Sequence, residues 1–215
     1  MVSRRVVPAA AVIGWVLCPA SAGVGVSTAF DTDAEGWTTD KDARDFEWVS
    51  SGGNPDGHVR AVDIGTGEYW RFAAPAAYLG DRSSFYGSAI SYDIKQTGPV
   101  GSVVSRPDIR LVGGGVTIEY FFGVAPGSEW IRFAAFVAEG EGWMVDDRPA
   151  TEAEIRGVLA SLSGFSIRGE YRTGADSAAL DNVSFGGCLA DFNEDGTPNF
   201  FDIADFITAF NAGGV

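Results

Sequence analysis

The chain has 215 residues, 46% of them hydrophobic, and a formal net charge of −14 at pH 7. The apolar fraction is enough for a folded core and excludes a disordered chain. The acidity excludes nucleic acid and anionic lipid surfaces as natural partners and draws divalent cations to any place where carboxylates cluster.

The first 22 residues carry Arg4 and Arg5, an apolar run from Val6 to Leu17 and the small-residue site Ala20-Ser21-Ala22. That order predicts a secretory signal peptide cut after Ala22, and hence a secreted or cell-surface protein. Its loss makes the chain more acidic, since it holds two arginines and no acid. Cys18 invites a lipoprotein reading, but Leu17 stands where a small residue is needed, and the Ser-Arg-Arg start leaves a twin-arginine route open. No later run approaches the roughly 18 apolar residues of a membrane span. Cleavage leaves Cys188 alone, so no intramolecular disulfide is expected.

From about Val26 to Phe185 short alternating segments are punctuated by Gly, Pro, Asn and Asp: HVRAVDI (58–64), SAISYDIKQ (88–96), DIRLV (108–112), VTIEYFF (116–122), WIRFAAFV (130–137), FSIRGEY (165–171) and LDNVSF (180–185). In FSIRGEY, Phe165, Ile167 and Tyr171 share one face and Ser166, Arg168 and Glu170 the other, the period of a half-buried strand. Strands this short and this closely spaced predict a mainly β fold, an antiparallel β-sandwich. One segment breaks the period. TEAEIRGVLASL (151–162) has Thr151 as N-cap, Glu154 three residues on, and Ile155, Val158, Leu159 and Leu162 at helical spacing, predicting one amphipathic helix over an edge or end of the sandwich.

YWRFAAPAAYLGDRSSFYGSAISYDI (69–94), DIRLVGGGVTIEY (108–120), ATEAEIRGVLASLSGFSIRGEYRTG and LDNVSF together resemble the laminin B domain, also called laminin IV, over roughly residues 27–186. The resemblance implies a jelly-roll sandwich similar to carbohydrate-binding modules, occupying 23–186 and set in extracellular multidomain proteins. It implies no catalytic residues and no agreed ligand.

The final segment, 187–215, has its own logic. Asp191, Asn193, Asp195, Thr197, Asn199 and Asp202 stand at positions 1, 3, 5, 7, 9 and 12 of a loop whose sixth residue is Gly196. Calcium takes six to eight oxygens, a chain winding around it presents one at alternate positions, and glycine tolerates the sharp turn. Without a cation the three carboxylates repel one another. Ile203, Phe206, Ile207 and Phe210 then recur at i, i+3, i+4 and i+7, an exit helix with an apolar stripe, and Asp202 and Asp205 sit where the helix dipole favours acids. This stretch resembles a dockerin repeat of the kind opened by Gly-Cys, here Gly187-Cys188. The resemblance puts calcium on Asp191, Asn193, Asp195, Asn199 and Asp202, with Thr197 through its carbonyl, and makes Phe200 and Phe201 partner-recognition positions, beside Phe206 and Phe210. Dockerins carry two such repeats and this sequence shows one; Pro198 also removes a backbone donor that a paired loop would use. The stripe is therefore expected to seek a protein or surface receptor, or to dock on the sandwich.

Asp31, Asp33, Glu35 and Gly36 imitate the opening of another calcium loop, but no apolar helix follows. In jelly-roll carbohydrate-binding modules an acid near the first strand and an Asp of the last strand clamp a structural calcium, and by that resemblance Asp31 and Asp181 form a second, structural site. Of six tryptophans, five lie beyond the leader and are expected mainly in the core; only one of Tyr69 and Trp70 can point inward. Arg168, Glu170 and Arg172 read as a salt-bridged exterior, and His58, the one histidine, as a solvated turn residue. No nucleophile elbow or zinc helix accompanies it. The expectation is a noncatalytic calcium-binding protein recognising an extracellular glycan or matrix component. The alternatives are a carbohydrate-active enzyme or accessory fragment, and a purely structural surface protein. Exposed aromatics on a sheet face would favour glycan binding; two carboxyls about 5–10 Å apart in a cleft would favour a hydrolase.

Overall fold

Alternation along each segment decides which side chains share an interior, and the computed structural model, which describes residues 25–41, 43–63, 69–98, 101–187, 203–205 and 207–208, shows the result. The strands are β1 (Val26–Thr28), β2 (Thr38–Thr39), β3 (Ala43–Val49), β4 (His58–Asp63), β5 (Arg71–Ala73), β6 (Ala89–Thr97), β7 (Ile109–Gly113), β8 (Val116–Tyr120), β9 (Ile131–Phe136), β10 (Met144–Val145), β11 (Arg148–Pro149), β12 (Leu162–Arg168) and β13 (Ser177–Gly187). Among the described residues they build two antiparallel sheets. One runs β3-β4-β13-β6-β9, with β1 also on β13; the other runs β11-β10-β8-β7-β12-β5-β2. This is the predicted jelly-roll sandwich.

The inner faces meet in two aromatic clusters. Trp37 stands edge-on to Tyr78 at 5.3 Å and to Phe165 at 5.9 Å, and Phe165 continues to Phe185 at 5.6 Å, so rings from both sheets interlock. At the other end of the core Phe122 stacks on Phe133 at 4.5 Å, and Tyr120 reaches Trp143 at 5.3 Å. Such pairs add about 1 kcal/mol each beyond their burial. Two polar tips are satisfied internally: the Tyr78 hydroxyl donates to the Val183 carbonyl at 3.0 Å, and Trp37 Nε1 to the Thr28 hydroxyl at 3.2 Å. Trp70 is the inward member of its pair and fully buried, while Tyr69 faces outward under the Arg106 guanidinium.

The helix, α1 (Glu152–Leu159), has the predicted capping box, with Thr151 and Glu154 bonding reciprocally, and buries Ile155, Val158 and Leu159. It packs on β7 and β8 at one end of the sandwich. It stops earlier than its periodicity suggests. Leu162 opens β12 instead, because its N–H and carbonyl are both taken by Gly80 (2.9 and 2.8 Å).

A second boundary also moved. FSIRGEY was expected to remain a strand to Tyr171, yet β12 ends at Arg168. Gly169 passes directly beneath the Trp70 ring, and a Cβ there would fall inside it. Gly169→Ala therefore forces either the tryptophan or the strand end to move. It is expected to cost at least about 2 kcal/mol of unfolding free energy, read as a fall in urea midpoint with little change in slope.

Candidate functional site

Strand β13 lies at the centre of its sheet and pairs with β4, β6 and β1. Leu180 faces the core and Asp181 the outside, opposite Asp93 of β6. Strict alternation would then turn Val183 and Phe185 to solvent. A bulge between Asp181 and Ser184 resets the register, with Asn182 at φ 47°, and both apolar residues return to the core. The extra residue leaves Asp181 and Asn182 side by side on the outer face.

Residues 50–57 fold over that face. The Asn54 N–H donates to Asp181 Oδ2 at 2.6 Å, and the Asn182 N–H to Oδ1 at 2.8 Å. Both side-chain amides converge on Asp93 Oδ2, Asn54 at 3.2 Å and Asn182 at 2.8 Å. Lys95 Nζ and Trp130 Nε1 donate to the Gly52 carbonyl at 2.9 and 3.2 Å, with Lys95 lying over the Trp130 ring. Arg132 supplies the nearby positive charge, 3.9 Å from Asp93. The result is a loop latched to a sheet by two buried carboxylates.

Burial is the main reason that Asp181 is pushed up to about 6, with the charges of Asp93 and Asp31 adding to it. Asp31 is thus within electrostatic reach of Asp181. The donors are all oxygen, each Asp181 oxygen retains a lone pair after accepting one N–H, and the repulsion among the three acids would be relieved by a hard cation. Among the described residues no three acid, His or Cys side chains converge on one point, so further ligands would have to come from backbone or water. The tail ligands Asp191, Asn193, Asp195, Thr197, Asn199 and Asp202, and Phe200, Phe201, Phe206 and Phe210, lie outside the described residues. Residues 203–205 and 207–208 are helical, and Ile203 and Ile207 are both exposed.

Two expectations are corrected. Arg168 and Glu170 are not exterior: they are 4% and 6% exposed. Arg168 donates to the carbonyls of Val104 at 2.6 Å and Arg106 at 3.1 Å and also to that of Glu170, pinning loop 102–107, while Arg71 holds the Pro107 carbonyl at 2.8 Å. His58 is not a solvated turn residue but the first residue of β4, buried against Trp130 at 5.6 Å. Burial, with Lys95 and Arg60 nearby, holds it down at about 4, so it is neutral at pH 7.

Asp93 and Asp181 are the arrangement most like a hydrolase pair, directly opposite on adjacent strands. They are 2% and 0% exposed under the loop and committed to its hydrogen bonds, which leaves no room for a substrate bond between them. Neither sheet face offers a tryptophan platform: Trp37, Trp70 and Trp143 are core, and Trp48 and Trp130 are half-buried. A small concavity of about 70 Å³ lies beside the latch at Arg132 and Asn182, and a larger one lies elsewhere. A cleft of about 140 Å³ lies at the end of the sandwich, between residues 103–108 and 121–125, floored by Asp108, Arg168 and Tyr171.

Residues 69–191 match the laminin B (domain IV) family. The chain belongs to that family. The matched span runs from just before β5 to just past β13, and so includes Asp93 and Asp181 and the cleft, while loop 50–57 precedes it. Among curated relatives, human laminin subunit alpha-3 is 31% identical over 117 residues, covering 52% of this chain and 4% of that protein. The mouse basement membrane-specific heparan sulfate proteoglycan core protein is 28% identical over 120 residues, covering 55% and 3%. The chain therefore spans a few per cent of the length of these relatives. Among solved structures, the L4b domain of human laminin alpha-2 superposes with a TM-score of 0.52 at 16% identity, over 59% of this chain and 78% of that one, which supports the laminin B fold.

The latch predicts a pH signature. A carboxyl raised from 3.8 to about 6 keeps its proton in the fold longer than in the unfolded chain. Its stabilisation is fully present below the unfolded value and is lost as pH rises through about 6. His58 works in the opposite sense between about 4 and 6.5, but that contribution is common to wild type and Asp181→Asn and cancels in their difference. Urea unfolding from pH 7 to pH 4 should show wild type gaining stability relative to the variant; parallel curves would remove the latch's titration.

Proposed function

We propose that this family member is a secreted, noncatalytic, calcium-binding protein. Its sandwich recognises an extracellular glycan or matrix component, and its tail tethers it to a protein or surface receptor. The observation that carries the reading is membership of a family shared with a laminin chain and with a proteoglycan core protein named for the basement membrane. The signal-peptide pattern of residues 1–22 supports an extracellular location. Burial of Asp93 and Asp181 beneath a hydrogen-bonded loop favours recognition over hydrolysis.

Calcium enters at two places in this reading. In the tail it orders the 191–202 loop and presents the helix that carries Ile203 and Ile207. At Asp31 and Asp181 it joins the segment before β2 to β13, neutralising acids that otherwise repel. Calorimetric titration of the full chain should find both sites, Asp195→Ala removing the first and Asp181→Asn the second. A stoichiometry unchanged in both variants would sink the calcium reading.

Recognition is tested by passing the full chain over immobilised laminins, proteoglycans and oligosaccharides while assaying the oligosaccharides for new reducing ends. Reversible binding without cleavage is the expected result. Release of reducing ends would overturn the noncatalytic assignment, and failure to bind any of the panel would leave only a structural role.

A further inference from the structure

The described residues include six large apolar side chains that are exposed, four of them on the sandwich. Three of those four, Val103 at 54%, Phe121 at 44% and Val124 at 57%, rim one cleft, the concavity of about 140 Å³ at the end of the sandwich. Exposed apolar residues scattered singly need no explanation, but a cluster around a concave site marks contact with something. The rim is built on two connections, β6 to β7 and β8 to β9. The first is fixed by the Arg168 and Arg71 guanidiniums on its carbonyls. The second is fixed by the Phe122 N–H on Asp108 Oδ2 at 2.7 Å. The walls are therefore held in place before any ligand arrives.

The floor is polar. Asp108 is 2% exposed, and its Oδ1 has no partner in hydrogen-bonding geometry, although the Tyr171 hydroxyl lies beside it and Arg168 stands 3.8 Å away. Each Arg168 nitrogen is bonded to a backbone carbonyl, and Asp108 Oδ1 is left as an acceptor in the cleft. Its size matches one six-membered ring, since a cavity of about 150 Å³ accommodates benzene. A pyranose has the required chemistry: an apolar C–H face for Phe121 and Val124, and hydroxyl donors at its edge for Asp108. The chain's net charge of −14 disfavours a carboxylate or sulfate on the sugar, while in the lining itself Arg106 and Arg168 stand beside Asp108.

We propose that this cleft binds one neutral pyranose residue of a glycan, with Phe121 and Val124 against the ring face and Asp108 accepting from a hydroxyl. The proposal rests on the recognition reading above and gives it a site and a ligand class. The cleft lies where β12 ends and β7 begins, near the start of β13, whereas the tail departs from the other end of that strand. Eleven residues of strand separate the two ends by about 35 Å.

The test uses the full chain against parallel panels of neutral, uronic-acid-containing and sulfated oligosaccharides, with affinities measured by calorimetry. Wild type should bind at least one neutral oligosaccharide and prefer it to its acidic counterparts. Phe121→Ala, at an exposed position, should weaken that binding about tenfold, as expected for loss of one ring contact. Asp108→Asn, which keeps the side-chain shape, should weaken it as well. Ile131→Ala, exposed on β9 away from the cleft, should leave it unchanged. Unfolding midpoints of all variants separate lost binding from lost folding. Binding that survives Phe121→Ala, or a preference for sulfated or uronic sugars, overturns this site while leaving glycan recognition standing. Absence of binding to every oligosaccharide overturns both.

Discussion

The bulge in β13 is the constraint on which the outer face of its sheet depends. A strand at the centre of a sandwich must keep its apolar residues inward, and a polar pair inserted out of phase would normally force one of them into the core. Here Leu180, Val183 and Phe185 stay buried because Asn182 takes a left-handed conformation and absorbs the mismatch. The cost is an exposed strip of backbone and a carboxylate pair, Asp93 and Asp181, that need partners. Loop 50–57 supplies them through the backbone and side-chain amides of Asn54, and Asn182 itself closes the network on Asp93. Removing the bulge would therefore disturb the core and the latch together.

The second sheet solves a similar problem with opposite charges. Arg71 and Arg168 are buried beneath loop 102–107, where they bind the carbonyls of Val104, Arg106 and Pro107. Buried guanidiniums are costly unless their fixed fork of donors is matched; Arg168 reaches the carbonyls of Val104, Arg106 and Glu170, whereas Arg71 reaches that of Pro107 and leaves Nη1 unbonded. Each sheet thus gives up part of its outer face to a loop. The cleft lies at the end of the molecule, where loop 102–107 and residues 121–125 meet.

The sandwich was legible in the sequence because alternation is a local signal: the strands at 58, 89, 109, 116 and 131 begin within a residue or so of the segments that predicted them, and the capping box at Thr151 was visible as Thr and Glu three apart. The boundaries that moved were set by distant partners. Leu162 continues a helical stripe but is captured by Gly80, and β12 stops at Gly169 because of Trp70. The same holds for the site. Asp181 could be singled out by family resemblance, but its contact with Asn54 spans 127 positions of chain and leaves no trace in local pattern. Arg168 was misjudged because a charged residue at an outward strand position reads as solvated, and His58 because it follows a turn-rich stretch; only the tertiary fold reveals what covers each. The cleft was invisible for a related cause, since Val103, Phe121 and Val124 lie in irregular connections where periodicity carries no information.

The placement of the two ends has a mechanical consequence. The first residues of β13 lie near the cleft and its last residues lead toward the tail, so the central strand of the sheet connects the proposed recognition end to the proposed tether. A pull between a bound ligand and an anchored tail would load β13 lengthwise. That strand is hydrogen-bonded on both sides for most of its length, to β6 along one edge and to β4 and β1 along the other, so the load would be resisted by many backbone bonds in shear rather than opened one at a time. An arrangement that put both contacts at one end, or on an edge strand such as β9, would instead peel the sheet. The topology therefore suits a module that must hold its ligand while being held itself, and it does so without any feature beyond the pairing order that closes the core.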